Sequence, residues 1–127
     1  MDRKIILASG SKTRAQLLIN AGIKFQIDPS QVDEESIIES MENNKEEPYS
    51  ITQALADIKA LNRSKVWPDA IIVGADQVLY FNGKIFTKPK NKNEARTNLE
   101  QLSGNTHDLV TAASVAINDM IVWRHVC

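Results

Sequence analysis

The strongest constraint on the fold is the segment at residues 70–75, AIIVGA, which runs without a break into Asp76. A short apolar run that is rich in β-branched residues and bounded by polar ones predicts a buried strand. The run continues through VLYF to Asn82-Gly83 and then KIFTK, and Asn-Gly between apolar runs is the strongest short-range hairpin signal. The chain is therefore expected to contain a sheet, with Asp76 inside one of its strands.

Helices and further strands are predicted on both sides of this segment. Ser11 and Gly22 are a suitable N-cap and stop for a first helix that follows a short apolar strand. A longer helix that ends at Trp67 and Pro68 has its apolar residues on a single face. The predicted strands are residues 4–8, 24–28, 107–117 and 120–126; the predicted helices are residues 13–21, 49–66 and 91–102, with a modest amphipathic helix around Ile37, Ile38 and Met41. Asn118-Asp119 predicts a second hairpin turn.

Composition limits the classes of protein to which the chain can belong. With 127 residues, of which 43% are hydrophobic, the chain is long enough for one globular domain with its own core. Fifteen basic and sixteen acidic residues give a net charge of −1, which argues against binding to a nucleic acid polymer. The single cysteine, Cys127, excludes an internal disulfide, and no apolar run predicts a signal peptide or a membrane span. We expect a single domain over residues 1–127 and a cytoplasmic location.

The loop SGSKTR, which ends at Arg14, places two serine hydroxyls, a threonine and two cations at the start of the first helix. Unpaired backbone N–H groups at a helix N-terminus, together with the helix dipole, bind anions such as phosphate. Arg14, one turn into the helix, can grip phosphate oxygens in a fork. The alternative is an ordinary capped helix with solvated Lys12 and Arg14, and the local pattern does not decide between the two.

Asp76 is unusual because aspartate is depleted in strands. A carboxylate inside a buried strand needs a partner or a ligand, since burying an unpaired charge is costly. One interpretation is a functional acid, and the other is a salt bridge to a neighbouring lysine or a turn cap. The residue alone does not choose between them.

Other charged residues allow both a functional and a structural interpretation. Glu34, with Asp33 and Glu35, can supply oxygen ligands for Mg²⁺ or Mn²⁺, although a charge run is also typical of a solvated face. Lys59 lies beside the apolar stripe of its helix and could simply extend to solvent. Lys88 follows the predicted hairpin, where a lysine can equally protect an edge strand.

In their order along the chain, these segments resemble the Maf family of nucleoside triphosphate pyrophosphatases, which is related in fold to inosine triphosphate pyrophosphatases. Six blocks carry the resemblance: LASGSKTRAQLL at 7–18, VDEE at 32–35, ALADIKA at 54–60, IIVGADQVL at 71–79, KP at 88–89 and EARTNLEQLSGNTHDLVTA at 94–112. The resemblance implies an α/β fold with a mixed twisted sheet flanked by helices. It implies hydrolysis of a nucleoside triphosphate, with a canonical, modified or non-canonical base, to monophosphate and pyrophosphate, as a house-cleaning hydrolase of nucleotide metabolism.

The resemblance also implies roles for individual residues. Asp76 would be the general base or metal-linked carboxylate that prepares the attacking water, and Glu34 would help to hold a divalent Mg²⁺ or Mn²⁺ ion. The triphosphate would be bound by Ser9, Ser11, Arg14, Lys59 and Lys88. This division of labour agrees with phosphoryl chemistry, which depends mainly on charge neutralisation and positioning.

The sequence departs from the family pattern at three positions and in length. Lys12 and Thr13 stand where the family loop has Pro and then Arg or Trp, and Gln77 follows Asp76 where pyrimidine-preferring members carry Thr. Substrate choice therefore stays open between pyrimidine nucleotides and methylated guanine nucleotides, with Thr13 and Gln77 as specificity residues. Family members continue beyond Cys127, so we expect a fold without the C-terminal part of the second lobe.

The shorter length leaves two functions open. One is an active or weakened pyrophosphatase, and the other is a catalytically impaired nucleotide-binding or division-regulatory relative. An incomplete lobe would leave an exposed strand edge, which favours association. The expected partners are a nucleoside triphosphate and a second copy of the chain in a homodimer, without a membrane.

Overall fold

The computed structural model of the protein describes residues 3–45, 47–81, 84–86, 91–104 and 108–127. Its elements are, in chain order, β1 (Ile5–Leu7), α1 (Lys12–Asn20), β2 (Gln26–Ile27), α2 (Glu34–Asn43), α3 (Pro48–Ser64), β3 (Ile71–Phe81), β4 (Lys84–Phe86), α4 (Lys92–Leu102), β5 (Asp108–Ile117) and β6 (Met120–Val126). Alternation of strands and helices gives the predicted α/β class. No helix within these ranges is long and apolar enough to cross a membrane.

The described strands form one mixed sheet in the order β2-β1-β3-β5-β6, and β4 pairs with β3 outside this path. β1 runs parallel to both β2 and β3, whereas β3, β5 and β6 are joined as antiparallel neighbours. The predicted strand at 24–28 was too long, since β2 has two residues. Its only partner among the described strands is the three-residue β1, which limits the length of the ladder.

Local signals in the sequence explain where the elements begin and turn. The Ser11 side chain accepts a hydrogen bond from the backbone N–H of Arg14, which confirms the predicted N-cap of α1. Asp33 caps α2 in the same way through the N–H of Ser36. Asn118 and Asp119 both have positive φ, 49° and 65°, and so form the predicted turn between β5 and β6. The Asn82-Gly83 turn lies outside the described residues, but the antiparallel pairing of β3 with β4 agrees with the predicted hairpin.

Helix α3 forms the main layer on one face of the sheet and covers two apolar clusters. The first cluster contains Ile6, Ala8, Ala60, Ala70, Ile72 and Ala116, and the second contains Ile38, Ile51, Leu55, Val78, Ile85 and Val110. Both clusters join α3 to β3 and β5, and Asp76 lies along β3 between Ile72 and Val78. The packing of α3 therefore fixes what surrounds Asp76.

Candidate active site

Asp76 lies in the middle of β3, on the face of the sheet that α3 covers. Successive residues of a strand point to opposite faces, so Asp76 shares this face with Ile72, Gly74 and Val78, all of which are buried. Only 5% of Asp76 is exposed. An aspartate in such a position needs nearby positive charge or a hydrogen-bond donor.

The backbone of Asp76 lies inside the continuous ladder between β3 and β5. β5 pairs with β3 continuously from Ile72 to Tyr80. On the opposite side, the registered pairs with β1 end at Val73 and those with β4 begin at Leu79, as far as these strands are described. The Ser9–Arg14 loop follows the end of β1, whose last registered partner on β3 is Val73. The backbone of Asp76 is thus fixed on one side by its pairing with β5.

Lys59 is the partner of Asp76, and it also binds a second carboxylate. Its ammonium lies 2.8 Å from Asp76 Oδ1 and 2.7 Å from Glu34 Oε1. Lys59 is 7% exposed, so the interpretation that its ammonium extends to solvent is wrong. Glu34 is about half exposed and comes from the first turn of α2. Three elements, α2, α3 and β3, therefore bring two carboxylates and one cation into contact.

The second oxygen of Asp76 is different from the first. Asp76 Oδ2 is buried and has no hydrogen-bond partner among the described residues. Burial raises the pKa of the Asp76 carboxyl above its ordinary value of 3.8, because the loss of water outweighs the hydrogen bond and the charge of Lys59. The negative charge of Glu34 raises this pKa further, and the positive charge of Arg14 lowers it. A buried, unpaired oxygen on a carboxyl with a raised pKa is typical of a group that accepts a proton or a ligand.

Gly74 allows α3 to lie unusually close to β3 beside this site. A Cβ built at Gly74 would lie 2.6 Å from both Ala56 O and Ala60 N, and 2.9 Å from Ala60 Cβ. The helix backbone therefore occupies the space that any other side chain would need. Sequence reasoning did not assign this role, although a glycine inside a β-branched strand is itself a signal of close backbone approach.

The loop between β1 and α1 brings Ser9 and Arg14 together. Ser9 Oγ accepts hydrogen bonds from Arg14 Nη1 at 3.0 Å and from the backbone N–H of Ser11 at 3.1 Å. Ser9 is 8% exposed, whereas Ser11 and Arg14 are partly exposed. Because the charge of Arg14 acts on Asp76, the loop and the carboxylate belong to one electrostatic site. The capped helix and the phosphate loop are not exclusive alternatives, since Ser11 caps α1 in either case.

Not every predicted site residue joins this group. Gln77 is exposed on the opposite face of the sheet, where its Nε2 donates to Thr111 Oγ1 at 3.0 Å. Thr13 is exposed in the first turn of α1. Asp33 accepts from both the N–H and the hydroxyl of Ser36, so it acts as a cap rather than as a neighbour of Lys59. Lys88 lies outside the described residues.

Comparison with known proteins identifies the family. Residues 4–126 match the family described as Maf-like protein. The chain belongs to this family. Proteins named nucleoside triphosphate pyrophosphatase from Ruegeria sp. (strain TM1040) and Ruegeria pomeroyi are 40% and 44% identical to it over 126 residues. A protein named 7-methyl-GTP pyrophosphatase from Mesorhizobium japonicum is 39% identical over 126 residues. Each match covers 99% of this chain and 63% of the relative, so the chain spans about 63% of the length of these relatives.

A solved structure supports the fold of the Maf-like chain. The crystal structure titled nucleoside-triphosphatase / dITP/XTP pyrophosphatase, from Mycobacterium abscessus, resembles it with a TM-score of 0.50. The match covers 98% of this chain and 69% of the other, with 16% sequence identity. At this identity the likeness shows the fold alone, which confirms the predicted mixed sheet flanked by helices.

The donor set of this Maf-like chain fits a hard divalent cation. Mg²⁺ is usually bound through one or two carboxylates together with water and substrate phosphates, and not by a complete protein cage. Glu34 and Asp76 supply two carboxylates joined through one ammonium, and Asp76 Oδ2 has no hydrogen-bond partner among the described residues. No group of three or more His, Cys, Asp or Glu residues that could hold a metal occurs in the described part of the chain. Two carboxylates are the number that Mg²⁺ usually takes from a protein when substrate phosphates complete its coordination.

Proposed function

We propose that this chain carries the catalytic centre of a nucleoside triphosphate pyrophosphatase that uses Mg²⁺ or Mn²⁺. The observation that supports it best is the buried Asp76 carboxyl, which has one oxygen on Lys59 and the other without a partner among the described residues. A purely structural salt bridge would be better satisfied with both oxygens bonded, because an unpaired buried oxygen costs stability. The family membership of the chain and the names of its relatives support the same reaction.

In this proposal each residue has a definite task. Asp76 Oδ2 orients the attacking water and accepts its proton, which a carboxyl with a raised pKa does better than an ordinary aspartate near neutral pH. Ser9, Ser11 and Arg14 bind phosphate oxygens at the start of α1, and Lys59 and Lys88 neutralise further charge. Glu34 and Asp76 hold the divalent ion, which supplies charge neutralisation at the phosphates. The products are a nucleoside monophosphate and pyrophosphate.

Two classes of substrate base remain open, pyrimidines and methylated guanine. The relatives have names of both kinds, nucleoside triphosphate pyrophosphatase and 7-methyl-GTP pyrophosphatase, at similar identities of 40% and 39%. We assign specificity to Thr13 and Gln77. Since Gln77 and Asp76 point to opposite faces of β3, Gln77 would act from the face that carries Thr111.

The test is pyrophosphate release by the purified protein, with Mg²⁺ or Mn²⁺, from a panel of canonical and modified pyrimidine nucleoside triphosphates and 7-methyl-GTP. Asp76→Asn should lower kcat by about 10²–10⁴-fold, the usual contribution of a general base, while nucleotide affinity is kept. Asp69→Asn is the matched control, because Asp69 is exposed and Asn tolerates its positive φ of 63°. Absence of hydrolysis of every nucleotide, or full activity of Asp76→Asn, would contradict the proposal.

A second candidate is a nucleotide-binding relative without turnover. The favouring observation is that Asp76 Oδ1 is already bonded to Lys59, as in a structural ion pair. For such a protein the wild type would bind nucleotides without releasing pyrophosphate, and Asp76→Asn would have no turnover to lose. The same panel therefore separates the two candidates.

A further inference from the structure

One ammonium holds the two carboxylates of the site together. Lys59 Nζ is 2.7 Å from Glu34 Oε1 and 2.8 Å from Asp76 Oδ1, so both contacts have the length of charge-assisted hydrogen bonds. The side chains of Lys59 and Asp76 are 9% and 7% exposed, which limits screening by water. Two negative charges and one positive charge leave the group with a net charge of −1.

A divalent cation would need the same two side chains. It binds carboxylate oxygens directly, and Lys59 now contacts one oxygen of each carboxylate. An ammonium that stayed at hydrogen-bond distance from these oxygens would also lie close to the cation, and like charges at such a separation repel strongly where water is scarce. Joint occupancy in the present arrangement is therefore unfavourable.

We propose that Lys59 and the divalent cation compete for the Glu34–Asp76 carboxylate pair, so that Lys59 closes the site in the metal-free protein and leaves these carboxylates when the cation binds. The inference rests on the proposed function, in that it takes these two carboxylates as the cation ligands. Lys59 is then a positioning residue for cation entry as well as a phosphate-binding group.

Competition of this kind would couple the two ligands. While Lys59 is paired with Glu34 and Asp76, its positive charge is neutralised by the two carboxylates and attracts a triphosphate only weakly. Once Lys59 leaves the carboxylates, its ammonium becomes available to substrate phosphates. Cation binding and nucleotide binding then favour each other, and this coupling is reciprocal.

The simpler alternative is that Lys59 only organises the site. In that case replacing Lys59 leaves two carboxylates that repel each other and move apart, and the cation binds more weakly or as before. The two interpretations therefore predict opposite changes in cation affinity for the same substitution.

The decisive measurement is Mn²⁺ binding without nucleotide, by calorimetry and by the paramagnetic resonance signal of free Mn²⁺. Lys59→Met keeps the length and the apolar stem of the side chain but removes the ammonium. We expect its Kd for Mn²⁺ to fall by about tenfold or more, the scale on which groups next to metal ligands change affinity. Lys65→Met removes the same charge from an exposed residue at the end of α3 and should leave the Kd unchanged. Equal or weaker Mn²⁺ binding by Lys59→Met would overturn the inference.

A second measurement uses the wild type, in case Lys59→Met does not fold. Titration with Mg²⁺ should shift the Lys59 Cε resonance strongly and the Lys65 Cε resonance little, because only Lys59 changes partners. An unmoved Lys59 resonance at saturating Mg²⁺ would also refute the competition.

If Lys59→Met binds Mn²⁺ more tightly but the wild type hydrolyses no nucleotide, the proposed function fails and this inference stands. If the wild type hydrolyses nucleotides but Lys59→Met does not bind Mn²⁺ more tightly, this inference fails and the proposed function stands.

Discussion

Gly74→Ala is the substitution whose consequences the structure defines best. The new Cβ would lie 2.6 Å from two backbone atoms of α3, Ala56 O and Ala60 N, and 2.9 Å from Ala60 Cβ. Ordinary contacts begin near 3.4 Å, so α3 would have to retreat from β3 by about 0.8 Å. Overpacking of this kind costs about 1–3 kcal/mol, and the upper end applies because backbone atoms cannot turn aside. The loss of glycine freedom in the unfolded chain offsets about 0.4–1 kcal/mol. We expect a net loss of about 2 kcal/mol in the free energy of unfolding.

The same movement should reach the candidate catalytic site. Lys59 follows Ala56 on α3, and its 2.8 Å hydrogen bond to Asp76 would lengthen beyond hydrogen-bond distance if the helix moved without compensation. Misplacement by about 1 Å can reduce turnover by about 10²-fold. We therefore expect Gly74→Ala to lose most of its pyrophosphate release at temperatures where it is still folded.

Two further variants make this prediction specific. Gly10→Ala is the matched stability control, because its new Cβ meets only Pro29 Cγ at 3.8 Å, an ordinary contact. Urea denaturation should give Gly10→Ala a stability equal to or slightly above that of the wild type. Adding Ala60→Gly to Gly74→Ala removes the 2.9 Å contact but neither backbone contact, so it should not restore stability. A Gly74→Ala protein with wild-type stability and turnover would refute the close approach of α3.

Two more predictions concern pH and association. Because folding raises the pKa of Asp76, its bound proton stabilises the folded chain at low pH, and this contribution is lost as the pH rises from 3.8 through the raised pKa. The unfolding free energy of the wild type, measured relative to that of Asp76→Asn, should therefore fall over this pH range. The acid limb of the pH profile of kcat/KM should lie above pH 3.8. A difference in unfolding free energy between the two proteins that did not change with pH would contradict the raised pKa. The expected homodimer stays a prediction, and β6, an edge of the described sheet, exposes Met120, Val122 and Trp123. If this edge mediates association, Val122→Lys should shift the mass measured by light scattering toward the monomer, and a dimer of unchanged stability would exclude it.

Sequence reasoning succeeded where a signal was local. The N-cap at Ser11 and the turn at Asn118-Asp119 depend on a few adjacent residues, and both were confirmed. The strand that contains Asp76 was confirmed because its β-branched run has no helical alternative of sufficient length. These successes fix the order of the elements and the strand in which the main acid lies.

Contacts between different helices and strands could not be predicted from local sequence signals. Glu34 begins α2, Lys59 lies late in α3, and nothing near either residue in sequence says that they meet at 2.7 Å. The contact of Lys59 with Asp76 depends on how closely α3 approaches β3, where Gly74 leaves the space. For the same reason the two interpretations of Asp76, salt bridge or functional acid, could not be separated by pattern. In the structure, Asp76 Oδ1 forms the salt bridge with Lys59, whereas Asp76 Oδ2, which has no partner among the described residues, is the oxygen that the functional interpretation needs.

This division of the two oxygens explains how β3 can contain an acid at all. Continuous pairing with β5 fixes the backbone of Asp76. Lys59 makes the buried charge tolerable through Asp76 Oδ1, while Asp76 Oδ2 has no partner among the described residues. If Lys59 leaves the carboxylates as proposed, its ammonium becomes available to substrate phosphates. In Lys59→Met, cation affinity should therefore rise because the competing ammonium is gone, whereas turnover should fall because no ammonium remains at this position to bind the phosphates.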